Sequence, residues 1–154
     1  MLSLMRSFIS NIIRKKTIKY SKVEHHKITN LIKRDFEAPR PNSKWSIDIT
    51  YLHTLQGTEY LCAIKDMYDK SIIAYSLSVH NDNNLVFQTF DKAFSSVKSE
   101  HRNSLILHSD QGSQFTSPKY AKILKKNQVK HSVSARGSCV DNVPIESWFS
   151  ALKT

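Results

Sequence analysis

The change of hydrophobic period at Trp45 constrains this chain most. Before it the apolar residues recur at helical spacing or thin out; in the run KWSIDITYL they alternate. Successive side chains of a strand point to opposite faces, so Trp45, Ile47, Ile49 and Tyr51 share one face and Ser46, Asp48 and Thr50 the other. The glycine-containing LQGTE is a turn, and EYLCAIKDMY returns as a second strand, giving a hairpin. A turn at DKS leads into a third strand, SIIAYSLSV. Residues 83–97 then take up helical spacing, with Val86, Phe90, Ala93, Phe94 and Val97 on one side. SLILHS is short and almost continuously apolar, as a buried central strand should be. Ser117 before Pro118 reads as an N-cap with proline at the first helical position, opening a helix to about Asn127. VKHSVS is a fifth strand and ARGSCVD a loop. Asp141 or Asn142 caps a last helix that continues to the chain end.

A three-strand meander followed by helix, strand, helix, strand and helix is the element order of a ribonuclease-H-like α/β domain: a five-stranded mixed sheet flanked by helices. At 154 residues the chain holds one such domain. It is preceded by a basic helical arm. Residues 1–43 carry ten Lys/Arg against three Asp/Glu, while residues 44–154 carry thirteen against ten. Within the arm, Leu4, Phe8, Ile12 and Ile13 mark residues 1–20 as an amphipathic helix. Residues 21–43 form a basic connector in which Pro39 and Pro41 favour extended chain. A net charge of +10 concentrated in one arm points to a polyanionic partner, nucleic acid first.

Several classes are disfavoured. No run of about 20 apolar residues spans a membrane, and the start MLSLMRSFISNIIRKK lacks the order of a secretory signal. Cys62 and Cys139 form no CxxC pair, so neither a disulfide framework nor a zinc site is expected, and His25-His26 lacks partner cysteines. Cys62, inside a strand, reads as small core filling. Reduced thiols in a cytosol are the expectation.

Three carboxylates stand out against this framework. Asp48 lies mid-strand, where a charge is disfavoured unless it has a use. Asp110 directly follows the apolar strand at its carboxyl end, the usual place for ligand groups in α/β sheets; as a plain turn former with Gly112 it needs no function. Glu146 lies on the last helix, with 35 residues between it and Asp110. On a helical projection Ile145, Trp148, Phe149 and Leu152 face the core, and Asn142, Glu146 and Lys153 form a polar stripe beside them. Two strand-borne aspartates and one helix-borne glutamate suit a pair of divalent cations about 3.5–4 Å apart, poised for in-line attack on a phosphodiester. Magnesium, or manganese, fits such a sparse oxygen set, with two ions expected. His108 either contacts phosphate or is a partly buried histidine bonded to a neighbour; the second reading is preferred. Gln111, Gly112, Ser113 and Gln114 make a polar turn beside the metals, and Gly112 is expected to let backbone approach DNA. Arg136 lies in a glycine-containing loop suited to DNA handling.

The segments RPNSKWSIDITYL, LILHSDQGSQFTSPKY and SVSARGSCVDNVPIESWFSALK resemble the catalytic-core signatures of bacterial insertion-sequence transposases of the DDE class, related to retroviral integrases. The resemblance covers residues 30–154 and includes a lysine seven residues after the glutamate. It implies that Asp48, Asp110 and Glu146 bind the metals and catalyse, and that Lys153 contacts DNA near the cleaved phosphate. Asn142, Arg136, Gln111, Ser113 and Gln114 are the further candidate DNA contacts. It also implies a multimer on the element's ends, target DNA as second substrate, and a small helix-turn-helix partner protein. Members of this type carry an upstream DNA-binding region and continue past the glutamate helix. The expectation is therefore a C-terminally truncated integrase catalytic core at 44–154. The alternative is an incompetent remnant that binds DNA or co-assembles with a full-length relative. A ribonuclease H or resolvase-type nuclease fits the three motifs less well.

Overall fold

The computed structural model describes residues 29–102, 104–134 and 142–153. The expected N-terminal helix, the start of the connector and the loop bearing Arg136, Gly137 and Cys139 lie outside these. In chain order the elements are β1 (Lys44–Thr54), β2 (Gly57–Asp66), β3 (Ile72–Ser78), α1 (Asn83–Ser96), a 3-10 turn (Ser99–Arg102), β4 (Ile106–Ser109), α2 (Pro118–Lys126), β5 (Lys130–Val133) and α3 (Val143–Leu152). Among the described residues these form a five-stranded sheet ordered β3-β2-β1-β4-β5.

The tight turn between Thr54 and Gly57 makes β1 and β2 antiparallel neighbours, and β3 continues the meander. The connection through α1 brings β4 back parallel to β1 on its other side, and α2 carries the chain to a parallel β5. Asp82 caps α1 by accepting the Leu85 N–H, and Ser117 caps α2 by accepting that of Tyr120. β1 is therefore central, with strands on both sides.

One face of the sheet carries Trp45, Ile47, Cys62, Ile64 and Leu107 under α1 and α2, whose Val86, Phe90, Ala93, Tyr120 and Leu124 complete the larger core. Cys62 is core filling, as its position in the strand implied; burial pushes its thiol up to about 12. The opposite face is covered over β1 and β2 by α3, whose Ile145 and Phe149 pack on Leu61 and Ala63. On the same face, the Leu31 and Ile32 N–H groups donate to Ser132 Oγ at 2.9 and 3.3 Å, fastening the incoming chain to β5.

Two expectations need correction. Tyr51 is 52% exposed rather than in the core, because β4 accompanies β1 only along Lys44–Ser46 and leaves the far end of β1 uncovered on that side. On α3 only Ile145 and Phe149 are buried. Trp148 is half-buried and Leu152 is 50% exposed, because both line an open groove against Leu52, Leu61 and Ala74 of the sheet. No helix among the described residues is long and apolar enough to cross a membrane.

Candidate active site

The sheet register brings the aspartates together. Ser46 on β1 is paired with His108 on β4. Continuing that parallel register by two residues sets Asp110, just past the end of β4, beside Asp48. α3 runs over β1 and β2, held by Ile145 and Phe149, so that Glu146 in its first turn lies on the same side.

The electrostatics show that the three carboxylates act on one another. Burial pushes the Asp48 carboxyl up to about 7. The Ile49 N–H, 2.7 Å from Oδ1, opposes this, and the charges of Asp110 and Glu146 add to it. Glu146 is also raised, first by burial and then by Asp110. The negative charge of Asp110 thus raises the proton affinity of both Asp48 and Glu146, as three acceptor-only groups gathered at a site suited to cations would.

Asp110 is held by its own turn: Oδ1 accepts the Gly112 N–H at 2.8 Å. A Cβ on residue 112 would meet that same oxygen at 2.9 Å. Glycine here serves the carboxylate, a different reason from the approach to DNA expected of it. The rest of the turn is tied down by its neighbours. Gln111 Nε2 donates to the Ser134 carbonyl at 3.0 Å, Ser113 Oγ to Gln114 Oε1 at 3.3 Å, and Gln114 Nε2 to Asn81 Oδ1 at 2.8 Å.

His108 is fully buried, with Nδ1 2.9 Å from Ser132 Oγ and Nε2 3.1 Å from Ser134 Oγ. Both ring nitrogens are thus engaged by serines, and the reading as a buried, neighbour-bonded histidine holds. Asn142 departs from the exposed stripe expected of it. It is the N-cap of α3 and only 3% exposed, its side chain makes no capping bond, and neither amide atom has a hydrogen-bond partner among the described residues. Glu146 and Lys153 do lie at the surface, and the Lys153 ammonium sits 4.4 Å from the centre of the Tyr51 ring.

Lys65 escaped the sequence reading. It is buried on β2 in the row of Ser46 and His108, and its Nζ donates to the Pro144 carbonyl at 2.8 Å, tying the sheet to the first turn of α3. Burial, with Lys70 behind it, lowers its proton affinity. The signal was present: an ionic residue inside LCAIKD is as unexpected as Asp48 inside WSIDI.

Among the described residues no three His, Cys, Asp or Glu side chains converge as a ready cage for one cation. The set fits magnesium in another way. Hard carboxylate oxygens, few in number and shared pairwise, suit ions that keep most of their ligands as water and phosphate.

A five-stranded mixed sheet in this order, packed by three helices, is the ribonuclease-H-like fold of integrase catalytic cores. Residues 38–139 match the model of the integrase core domain, and the chain belongs to that family. It is 36% identical over 124 residues to the transposase InsF of insertion sequence IS3A in Escherichia coli K12, covering 80% of this chain and 42% of that one. It is 38% identical over 129 residues to a transposase-like protein of Haemophilus influenzae Rd, covering 84% and 58%. The chain thus spans about half the length of these relatives. The fold is similar to the HTLV-2 integrase catalytic core domain, solved with magnesium in dimeric and trimeric forms. TM-scores are 0.59 and 0.62 at 18% identity, covering 73% and 75% of this chain and 68% and 70% of that one.

Proposed function

We propose that this chain is the catalytic core of an insertion-sequence transposase, hydrolysing a phosphodiester at an element's end and joining the freed 3′-hydroxyl to target DNA. One observation carries the reading: the parallel register of β1 and β4 sets Asp110 beside Asp48 and α3 lays Glu146 over the same strands, close enough for the Asp110 charge to raise the proton affinity of the other two. These three residues would hold two magnesium or manganese ions, which when bound activate an attacking oxygen and neutralise the leaving one. The chain's own groups do the rest. Asp48 presents its carboxylate from the central strand of the sheet. Gly112 orients Asp110, and Lys65 fixes the helix that carries Glu146. Lys153 neutralises charge that develops on the transferred phosphate. Gln111, Ser113, Gln114, Asn142 and Arg136 are the accessory DNA contacts of this reading, Asn142 requiring a side-chain movement to reach substrate. The working assembly is a homo-oligomer on the element's ends, with a small helix-turn-helix protein as partner, acting in the bacterial cytoplasm at the nucleoid.

The basic arm favours a second reading, a chain that binds DNA or joins a longer relative without catalysing. One assay separates the two: strand transfer from short duplexes with an exposed 3′-hydroxyl into plasmid, in Mg2+ or Mn2+, beside Asp110→Asn. Joined product from the wild type alone is the expected result. Salt-sensitive DNA binding without product, equal in both proteins, would leave the second reading standing.

A further inference from the structure

Tyr51 is a large aromatic side chain that the strand pattern assigns to the core and the structure leaves half in solvent. It stands three residues beyond Asp48 on β1, about 10 Å along the strand, where β4 no longer accompanies β1. Two groups gather on its ring. The Lys153 ammonium lies 4.4 Å from the ring centre, and the His53 ring meets it at 5.2 Å with an interplanar angle of 60°. Lys153 makes no ion pair among the described residues, so the ring is its neighbour in place of a carboxylate. An exposed ring, a second ring at its edge and an uncompensated cation match the two ends of a nucleotide: a base to stack and a phosphate to neutralise.

We propose that Tyr51 and Lys153, flanked by His53, form a subsite for one unstacked nucleotide of the DNA substrate, with the base on the Tyr51 ring and its phosphate on Lys153. The proposal rests on the reading of Asp48, Asp110 and Glu146 as the strand-transfer site, whose substrate strand it would hold. A base inside a duplex cannot reach an isolated ring, so the bound base must leave the stack. That is cheapest at a frayed or overhanging end. Every base has a π-face, so the subsite selects an open end rather than a sequence. On binding, the phosphate draws the ammonium from the ring, and the face it occupied becomes available to the base.

The test uses the full chain and short duplexes with frayed ends, carrying 5-iodouracil at single positions near one end, irradiated in chelator so that no turnover occurs. A stacked halogenated base forms a photo-crosslink with the ring beneath it. The expected result is a crosslink to Tyr51 at one or two adjacent positions, retained in Tyr51→Phe and lost in Tyr51→Ala. Anisotropy titration of Tyr51→Ala should show binding to the same ends weakened about tenfold, the loss of one stacking contact. Lys153→Gln should weaken binding and reduce its salt dependence while leaving the crosslink at Tyr51. Bound duplex without any Tyr51 crosslink overturns the proposal, as does a crosslink pattern unchanged in Tyr51→Ala. Nicking with Mg2+ is measured separately. A Tyr51 crosslink from a wild type that never nicks upholds the subsite and removes the catalytic reading. Nicking by the wild type without the crosslink does the reverse.

Discussion

Asp48 supplies the sharpest quantitative prediction, because its cost is written in its proton affinity. Folding carries its carboxyl from the ordinary 3.8 up to about 7, chiefly through burial. Each unit corresponds to about 1.36 kcal/mol, so the ionised side chain destabilises the metal-free fold by up to about 4 kcal/mol. The direction follows from linkage. Between pH 4 and 7 the folded chain holds a proton that the unfolded chain has lost, so stability falls as pH rises through that window and levels off above it. Asp48→Asn keeps the size and the acceptor for the Ile49 N–H while removing the charge. In EDTA at pH 8 the variant should therefore be the more stable protein by about 2–4 kcal/mol, a rise of about 10 °C in Tm for a domain of this size. The advantage should shrink below pH 7 and vanish near pH 4. Thermal unfolding of both proteins across pH 4–8 reads it directly, and the difference between them cancels the other titrating groups. Excess Mg2+ should raise the wild type and not the variant. Equal stability at pH 8, or an advantage that does not change with pH, would refute the claim that Asp48 is held in the fold against its own charge.

Gly112→Ala sets a methyl 2.9 Å from Asp110 Oδ1. The turn bond should break at a cost of about 1–2 kcal/mol, and Mg2+-dependent nicking should fall about tenfold or more, measured beside the urea midpoint. Lys65→Met should destabilise by about 1–3 kcal/mol in denaturant titrations, because the half-buried Pro144 carbonyl is left without its donor. Phe149→Ala should cost about 3–5 kcal/mol, whereas Leu152→Ala, three residues on and half exposed, should stay within about 0.5 kcal/mol. A similar loss for both in urea would mean that α3 is seated differently on the sheet.

The order of strands and helices could be read from the chain because each element advertises itself locally: alternation in WSIDITY, a proline after a capping serine at Ser117, a short apolar run ending in Asp110. Asp48 and Asp110 stood out for the same reason, one conflicting with a local pattern and the other ending one, whereas Glu146 gives no local signal and stood out only in combination with them. Exposure at the margins was not. Whether Tyr51 is covered depends on how far β4 accompanies β1, and β4 is only four residues long. Leu152 is apolar and correctly phased for the core, but it faces an open groove beside Leu52 and Leu61 rather than closed packing. The inward turn of Asn142 is a matter of side-chain conformation at a helix start, which sequence spacing does not encode. Ser132 gives no signal at all, yet it accepts from two backbone N–H groups and contacts His108.

Those serine contacts bear on how Glu146 is aimed. α3 presents only Ile145 and Phe149 to the sheet as buried side chains, a narrow apolar seam for a helix that must hold a carboxylate in register with two others. The rest of that sheet face is not apolar. One row across four strands reads Lys65, Ser46, His108, Ser132, all buried. Apolar packing is tolerant of sliding by fractions of an ångström, whereas a hydrogen bond loses its value over the same distance. The Lys65 bond to the Pro144 carbonyl therefore does what Phe149 cannot: it fixes the start of the helix along its axis, two residues before Glu146. A buried ammonium is a costly way to gain stability and a good way to gain position. Its place in the row beside Asp48, rather than elsewhere under the helix, is the physical reason to read this end of the sheet as built around the carboxylates.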